Sequence, residues 1–162
     1  MQMTSDEPKF LVDEMLQRLG RWLRAAGYDT VIALDATPDY YLLRQAISEG
    51  RLFITRDRKL MEHRRAAGNV ILLECNSLED CVQELNKHIH IDWQHDPFSR
   101  CLICNTPLLD ATPQQMQNVP PSVHERELHA LYCPQCNQVF WEGSHVNRMR
   151  NQLATWQHVT ND

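Results

Sequence analysis

Residues 9–31 read KFLVDEMLQRLGRWLRAAGYDTV: a short apolar run, an acid, and then a strictly periodic helix. Phe10, Leu11 and Val12 have the length and composition of a buried strand, and Asp13 stands at its C-terminal end. Met15, Leu16, Leu19, Trp22, Leu23 and Ala26 then recur on one stripe of a 3.6-residue period. Gln17, Arg18, Arg21 and Arg24 take the opposite face, and Gly27 supplies the stop. Open α/β sheets place ligands beyond the C-terminal ends of their strands, where the next helix begins. The apolar residues of this stretch therefore serve to hold Asp13 at the mouth of a sheet.

The same unit recurs downstream. Residues 29–34 (DTVIAL) read as a second strand, and a loop with Asp35 and Thr37-Pro38 leads to Asp39. A helix over 40–48 follows, with Tyr40, Leu43, Ala46 and Ile47 inward, Gly50 as its stop, and Thr37 or Asp39 as its cap. Leu52, Phe53, Ile54 and Thr55 form a third strand ending in Arg56-Asp57. Leu60, Met61, Arg64 and Arg65 mark a basic helix that stops at Gly68, and residues 69–73 (NVILL) a fourth strand. Ser77 caps a last helix through about Ile89, with Asp80 in the capping-box position. This alternation predicts the α/β class: a parallel sheet of about four strands with flanking helices.

In such a sheet the C-terminal strand ends share one edge, so Asp13 and Asp57 converge and Asp39 can reach them. Each acid alone is adequately explained as a helix cap or loop residue. Three in one crevice repel each other, and a divalent cation is the usual remedy. An acid after the third strand also suits a phosphoacceptor receiver domain. That class needs a threonine and a lysine after its fourth and fifth strands, and neither has a counterpart here.

The chain has 162 residues, room for one domain and a small appendage. No apolar run approaches the roughly 20 residues of a membrane span. The opening MQMTSDEPK is polar and acidic, unlike a secretory signal. With six cysteines, that points to a reducing, cytoplasmic setting in which cysteine clusters bind metal. The net charge of −5 is unusual for a nucleic-acid binder, but 11 of the 16 Lys and Arg fall in residues 1–65. RNA is therefore not excluded as a partner.

The composition changes near residue 92, which divides the chain into segments 1–91 and 92–162. Cys101-Leu-Ile-Cys104 and Cys133-Pro-Gln-Cys136 are two matched knuckles, each followed by an asparagine suited to a tight turn. They supply four thiolates to a tetrahedral Zn²⁺. With all four positions filled by sulfur the site is closed to water and structural in kind, and a disulfide or redox pair is the weaker alternative. The insert over 105–132 reads as a polar excursion with short helices. Val139, Phe140 and Trp141 form a strand leaving the second knuckle, and a helix runs on to about His158. Cys75 and Cys81 are most simply small core residues. His145, Arg148 and Arg150 form a candidate phosphate-contacting patch on one helical end, although Gly143-Ser144-His145 is equally a turn and helix cap.

Together FLVDEMLQRLGRWLRAAGYDT, GRLFITRD, the two CxxC pairs and FWEGSH resemble the Mut-seven C-terminal ribonuclease-like family, a PIN-like nuclease domain followed by a zinc ribbon. The likeness runs from about residue 9 to 150. It implies a hydrolase whose acids bind Mg²⁺ or Mn²⁺ and cut RNA phosphodiesters. Asp13 matches the first acid of the pattern, Asp57 the acid after the third strand, and Asp39 the acid that opens the second helix. Many PIN domains bring a fourth acid. Here Arg58-Lys59-Leu60 follow Asp57 and no acid comes until Glu62, with Glu74 or Asp80 as further substitutes. Arg56, Arg58 and Lys59 flank the expected site, and Arg18, Arg21 and Arg24 would join them in holding RNA if the first helix lines the groove. Two other roles remain open at this level. One is a non-catalytic RNA- or protein-binding module built on the ribbon; the other is the toxin role of many PIN domains, with a protein antitoxin as partner.

Overall fold

The computed structural model describes residues 7–34 and 36–161, so the readings made on Asp35 and on the first six residues lie outside it. Strands β1 (Phe10–Val12), β2 (Thr30–Ile32), β3 (Leu52–Thr55) and β4 (Val70–Leu72) form a parallel sheet in the order β2-β1-β3-β4. Helices α1 (Gln17–Ala26) and α3 (Leu78–His88) cover one face of it, and α2 (Asp39–Glu49) the other. Alternation along β1 decides this division. Phe10 and Val12 join Leu19, Leu23, Val82 and Leu85 on the first face, while Leu11 joins Leu42, Leu43 and Ala46 on the second. Each of the fully buried Leu and Phe side chains contributes about 1.5–3 kcal/mol of transfer free energy.

The first helix departs from its expected stripe at its N-terminal end. Asp13 accepts a hydrogen bond from Met15 N at 3.0 Å, which caps a 3-10 turn over Glu14–Leu16. That tighter winding turns Met15 outward, and it is 68% exposed. Gly20 lets α1 approach the sheet closely: a Cβ there would stand 2.7 Å from Ile32 Cγ1 and 2.9 Å from Val12 Cγ2. Gly27 ends the helix at φ 107°, and its α-carbon faces the Asp96 carbonyl too closely for any side chain.

Three further readings need correction. In α2, Pro38 occupies the cap position without a side-chain bond, Asp39 is the first helical residue, and Leu42 rather than the exposed Tyr40 faces inward. Instead of a basic helix after β3 there is one 3-10 turn, Arg58–Glu62, ended by His63 in extended conformation. Only Leu60 of that turn is buried, too little apolar surface to hold a longer helix against the sheet. Cys75 and Cys81 are core residues, as expected, but they are joined in a disulfide. Elsewhere the local signals are reproduced, and Ser77 Oγ accepts from Asp80 N at 3.2 Å to cap α3.

Beyond α3, strands β5 (Leu109–Asp110), β6 (Ala130–Cys133) and β7 (Gln138–Trp141) form a small antiparallel sheet. The insert carries β5, a 3-10 turn over Gln115–Asn118 and the short α4 (Pro121–Glu125). The last helix, α5 (Ser144–Asn161), returns to the main core. Its Trp156 ring lies 4.7 Å from that of Trp22 and 5.0 Å from that of the fully buried Trp93. Gln157 Oε1 accepts from Trp93 N at 2.7 Å, and Glu79 Oε2 accepts from Trp156 Nε1 at 2.8 Å. The two ends of the ribbon segment thereby pack on each other, and α5 is fastened to α1 and α3. Among the described residues no helix is long and apolar enough to cross a membrane.

Arg24 fastens the middle of that segment. Expected on the exposed, RNA-facing side of α1, it is only 6% exposed. Its Nε donates to Thr30 O at 2.8 Å, and its Nη1 to Leu102 O at 2.9 Å and Ile103 O at 3.1 Å, both in the first knuckle. Asn105 completes the joint, accepting from Thr30 N at 3.0 Å and donating to Asp29 Oδ1 at 2.6 Å. Burial draws the Arg24 pKa below its ordinary value, while Cys101 and Cys104 pull it back up. Arg24→Met keeps the stem and strands three carbonyls, and should cost about 2–4 kcal/mol in urea unfolding.

Candidate active site and four-cysteine centre

Because β1 and β3 run parallel and adjacent, with Val12 beside Ile54, the residues that follow them emerge at one edge. There Asp13, Asp39 and Asp57 line a single cleft of about 450 Å³, together with Glu14, Thr37 and Arg56. Asp13 is 7% exposed and is held by three donors: Met15 N at 3.0 Å, Thr55 Oγ1 at 2.7 Å and Arg56 N at 3.3 Å. Asp57 accepts from Lys59 N at 3.0 Å, and its own amide donates to Thr55 Oγ1 at 3.1 Å.

Thr55 therefore bridges the two strand-end acids, a role the sequence reading passed over although the residue sits beside Arg56-Asp57. It is fully buried, so Thr55→Val would leave the Asp13 carboxylate and the Asp57 amide each short of a partner. A loss of about 1–3 kcal/mol is expected in denaturant unfolding.

Asp39 faces Asp57 across the cleft. A hydrogen bond with Asp57, then burial, then the negative charges of Asp57 and Asp13 push the Asp39 carboxyl up to about 6. Asp57 is correspondingly held below its usual range, first by Asp39 and then by the Lys59 amide. Below about pH 6 the two carboxyls share one proton, because two charges so close together repel. Carboxylates are the hard oxygen donors that divalent cations take, but among the described residues it is the four cysteines alone whose ligand atoms already converge closely enough to hold a metal ion.

The basic residues separate into groups. Arg56 lines the cleft, and Lys59 stands exposed beside it. Arg58 is drawn off into an ion pair with Glu74. Arg18 and Arg21 are exposed on α1, outside the cleft lining, and Arg24 is committed to the knuckle. Of the acids weighed as a fourth member, neither Glu62, Glu74 nor Asp80 lines the cleft; Glu14 does. Its signal was its position directly after Asp13.

The four cysteines form the second centre. The sulfurs of Cys101, Cys104, Cys133 and Cys136 all lie within 4.8 Å of one another. Cys101 and Cys136 are 3.9 Å apart and Cys104 and Cys133 3.5 Å, against roughly 3.8 Å for sulfurs at tetrahedral Zn–S bonds of 2.3 Å. Asn105 at φ 73° and Asn137 at φ 57° turn the two knuckles, as their positions after each CxxC suggest. Burial raises Cys104, yet the Thr106 hydroxyl and amide with Cys136 and Cys133 bring it down to about 6, and Cys136, hydrogen-bonded to Cys104, is pushed up to about 12. The thiols thus share protons that a cation of this size would displace. His145 and Arg148 are exposed at the start of α5, while Arg150 pairs with Glu142 and lies 5.0 Å over the Phe98 ring. None of the three lines the acid cleft.

A family model, the Mut7-C RNAse domain, matches residues 8–153. No curated protein and no solved structure matches the chain.

Proposed function

The chain belongs to the Mut7-C RNase domain family, and from that premise we propose that it hydrolyses RNA phosphodiester bonds at the cleft of Asp13, Asp39 and Asp57 with the help of Mg²⁺ or Mn²⁺. The observation that carries this reading is the convergence of three acids in one cleft at the β1–β3 edge. Asp13 and Asp57 would hold the cation directly. Asp13 retains acceptor capacity beside its three donors, since an ionised carboxylate offers about four lone-pair sites. When bound, the cation lowers the pKa of water and offsets charge that builds on the phosphoryl oxygens.

Thr55 keeps Asp13 and Asp57 in register for that task. Asp39, pushed up to about 6, is the carboxyl best suited to orient the attacking water and accept its proton near neutrality. Arg56 at the lip of the cleft is placed to hold the phosphate. Lys59, Arg18 and Arg21 are exposed and available for more distant backbone contacts, and His145 and Arg148 for contacts at the ribbon.

Zn²⁺ is our assignment for the four-cysteine cluster, with a structural role, because all four ligand positions are thiols. A cytoplasmic setting, read from the sequence, suits four free thiols gathered at one site but not the Cys75–Cys81 disulfide.

The test is cleavage of labelled transfer RNA, messenger RNA and single-stranded oligonucleotides by zinc-loaded protein with Mn²⁺, with Mg²⁺ and with chelator. Cleavage in the metal arms alone is the expected result. RNA retention without cleavage in any arm would replace the enzyme by a binding module.

A further inference from the structure

A second hollow, of about 360 Å³, opens between α2 and the turn that follows β3, lined by Tyr40, Leu43, Arg44, Ile47, His63 and Arg65. Its walls are the same two elements that carry the acids. Tyr40 directly follows Asp39, and Arg44 lies one turn further along the same face of α2. His63 and Arg65 lie just past the 3-10 turn that Asp57 caps. The cleft and this hollow share no lining residue but adjoin on α2, where Asp39 lines the one and Tyr40 the other.

The lining has one sign of charge. Two arginines and a histidine meet here, no acid lines the hollow, and neither arginine has an ion-pair partner among the described residues. The aromatic surface is presented and already ordered. Tyr40 is 50% exposed, its ring lies 5.4 Å from that of His63, and the Arg44 guanidinium stands 5.8 Å from its centroid. The turn is fixed as well: Arg65 N donates to His63 Nδ1 at 3.3 Å, and Asn69 Nδ2 donates to Arg65 O at 2.9 Å.

An anion on two unpaired arginines beside a half-exposed tyrosine ring is the chemistry of a nucleotide in a single strand: phosphate on guanidinium, base on ring. We propose that this hollow is the subsite for a nucleotide of single-stranded RNA flanking the scissile phosphate, with Arg44 and Arg65 on the backbone and Tyr40 stacking the base. The assignment of the scissile phosphate rests on the ribonuclease reading above; the binding does not.

Binding is therefore measured without added divalent cation, on zinc-loaded protein and a labelled single-stranded RNA oligomer, across a salt series. Arg44→Ala and Arg65→Ala should each weaken binding and lower the slope of log K against log salt by about 0.7. Arg126→Ala, an exposed charge elsewhere, should leave both unchanged. Tyr40→Leu should weaken binding about tenfold and Tyr40→Phe should not. An abasic oligomer of equal length should show no difference between wild type and Tyr40→Leu. Unchanged RNA affinity in the arginine and Tyr40→Leu variants would overturn the subsite whatever the cleavage assay shows. Tight binding through these residues in a protein that never cuts RNA would keep the subsite and remove the nuclease.

Discussion

Replacing Asp57 by Asn should lower metal-dependent RNA cleavage by about 10²–10³-fold, the scale of losing one preorganised electrostatic partner. The fold should survive, because Asn keeps the oxygen that accepts from Lys59 N and the position is partly exposed. The substitution also acts on its neighbour. Asp39 is raised to about 6 chiefly by Asp57, so in Asp57→Asn it should titrate nearer the ordinary carboxylate range. In the wild type a proton competes for the site below about pH 6, and cation affinity should fall as pH drops through that value. The stability linkage has the same origin. A carboxyl whose folded pKa lies above its unfolded one binds its proton more tightly when folded, so in the metal-free protein its contribution is most favourable at low pH and is lost as pH rises through about 6. Mn²⁺ should therefore raise Tm far more at pH 7.5 than at pH 5, a contrast that thermal scans of wild type and Asp57→Asn would show directly.

Loss of the Zn²⁺ proposed for the four-cysteine cluster should have the largest effect on stability. Cys133 is fully buried, and Cys133→Ser would leave three thiols and a hydroxyl where four sulfurs converge. The knuckle is then free to open, and the Arg24 and Asn105 joint to β2 opens with it. Because α5 follows the ribbon directly and carries Leu153 and Trp156 into the main core, the disturbance should reach beyond the small sheet. A fall in Tm of at least about 10 °C is expected for Cys133→Ser and for protein stripped of zinc, given roughly 2–4 °C per kcal/mol for a chain of this size. Restoring Zn²⁺ should rescue the stripped wild type and not the variant. Equal melting with and without zinc would show that the four cysteines stabilise nothing as a metal centre.

Much of this architecture was legible in the chain because its signals are local. Apolar strands ending in Asp13 and in Arg56-Asp57 are enough to place two acids at one edge once the sheet is parallel, and paired CxxC motifs carry their own geometry. What escaped the reading is what depends on partners distant in sequence. Arg24 looks like one of four polar residues on an exposed helix face, and only the docked knuckle 78 positions away from it, at Leu102, makes it a buried staple. Thr55 reads as a β-branched strand residue, and its bond to Asp13 spans 42 positions. The Cys75–Cys81 bridge escaped for another reason: it is local, with a sequence separation of 6, but has the spacing of no familiar motif. The basic segment after β3 shows the opposite failure: its Leu60, Met61, Arg64 and Arg65 suggest a helix, yet only Leu60 among the first turn finds a core to pack on.

A Mn²⁺ titration of zinc-loaded protein, followed calorimetrically at pH 7.5, tests the cation site at the acid cleft most directly. Wild type should bind Mn²⁺ in excess of the zinc centre, and Asp57→Asn and Asp39→Asn should each weaken that binding at least tenfold while retaining their zinc. Mn²⁺ binding of equal strength in all three proteins, or none in the wild type, would contradict a metal-dependent nuclease at Asp13, Asp39 and Asp57.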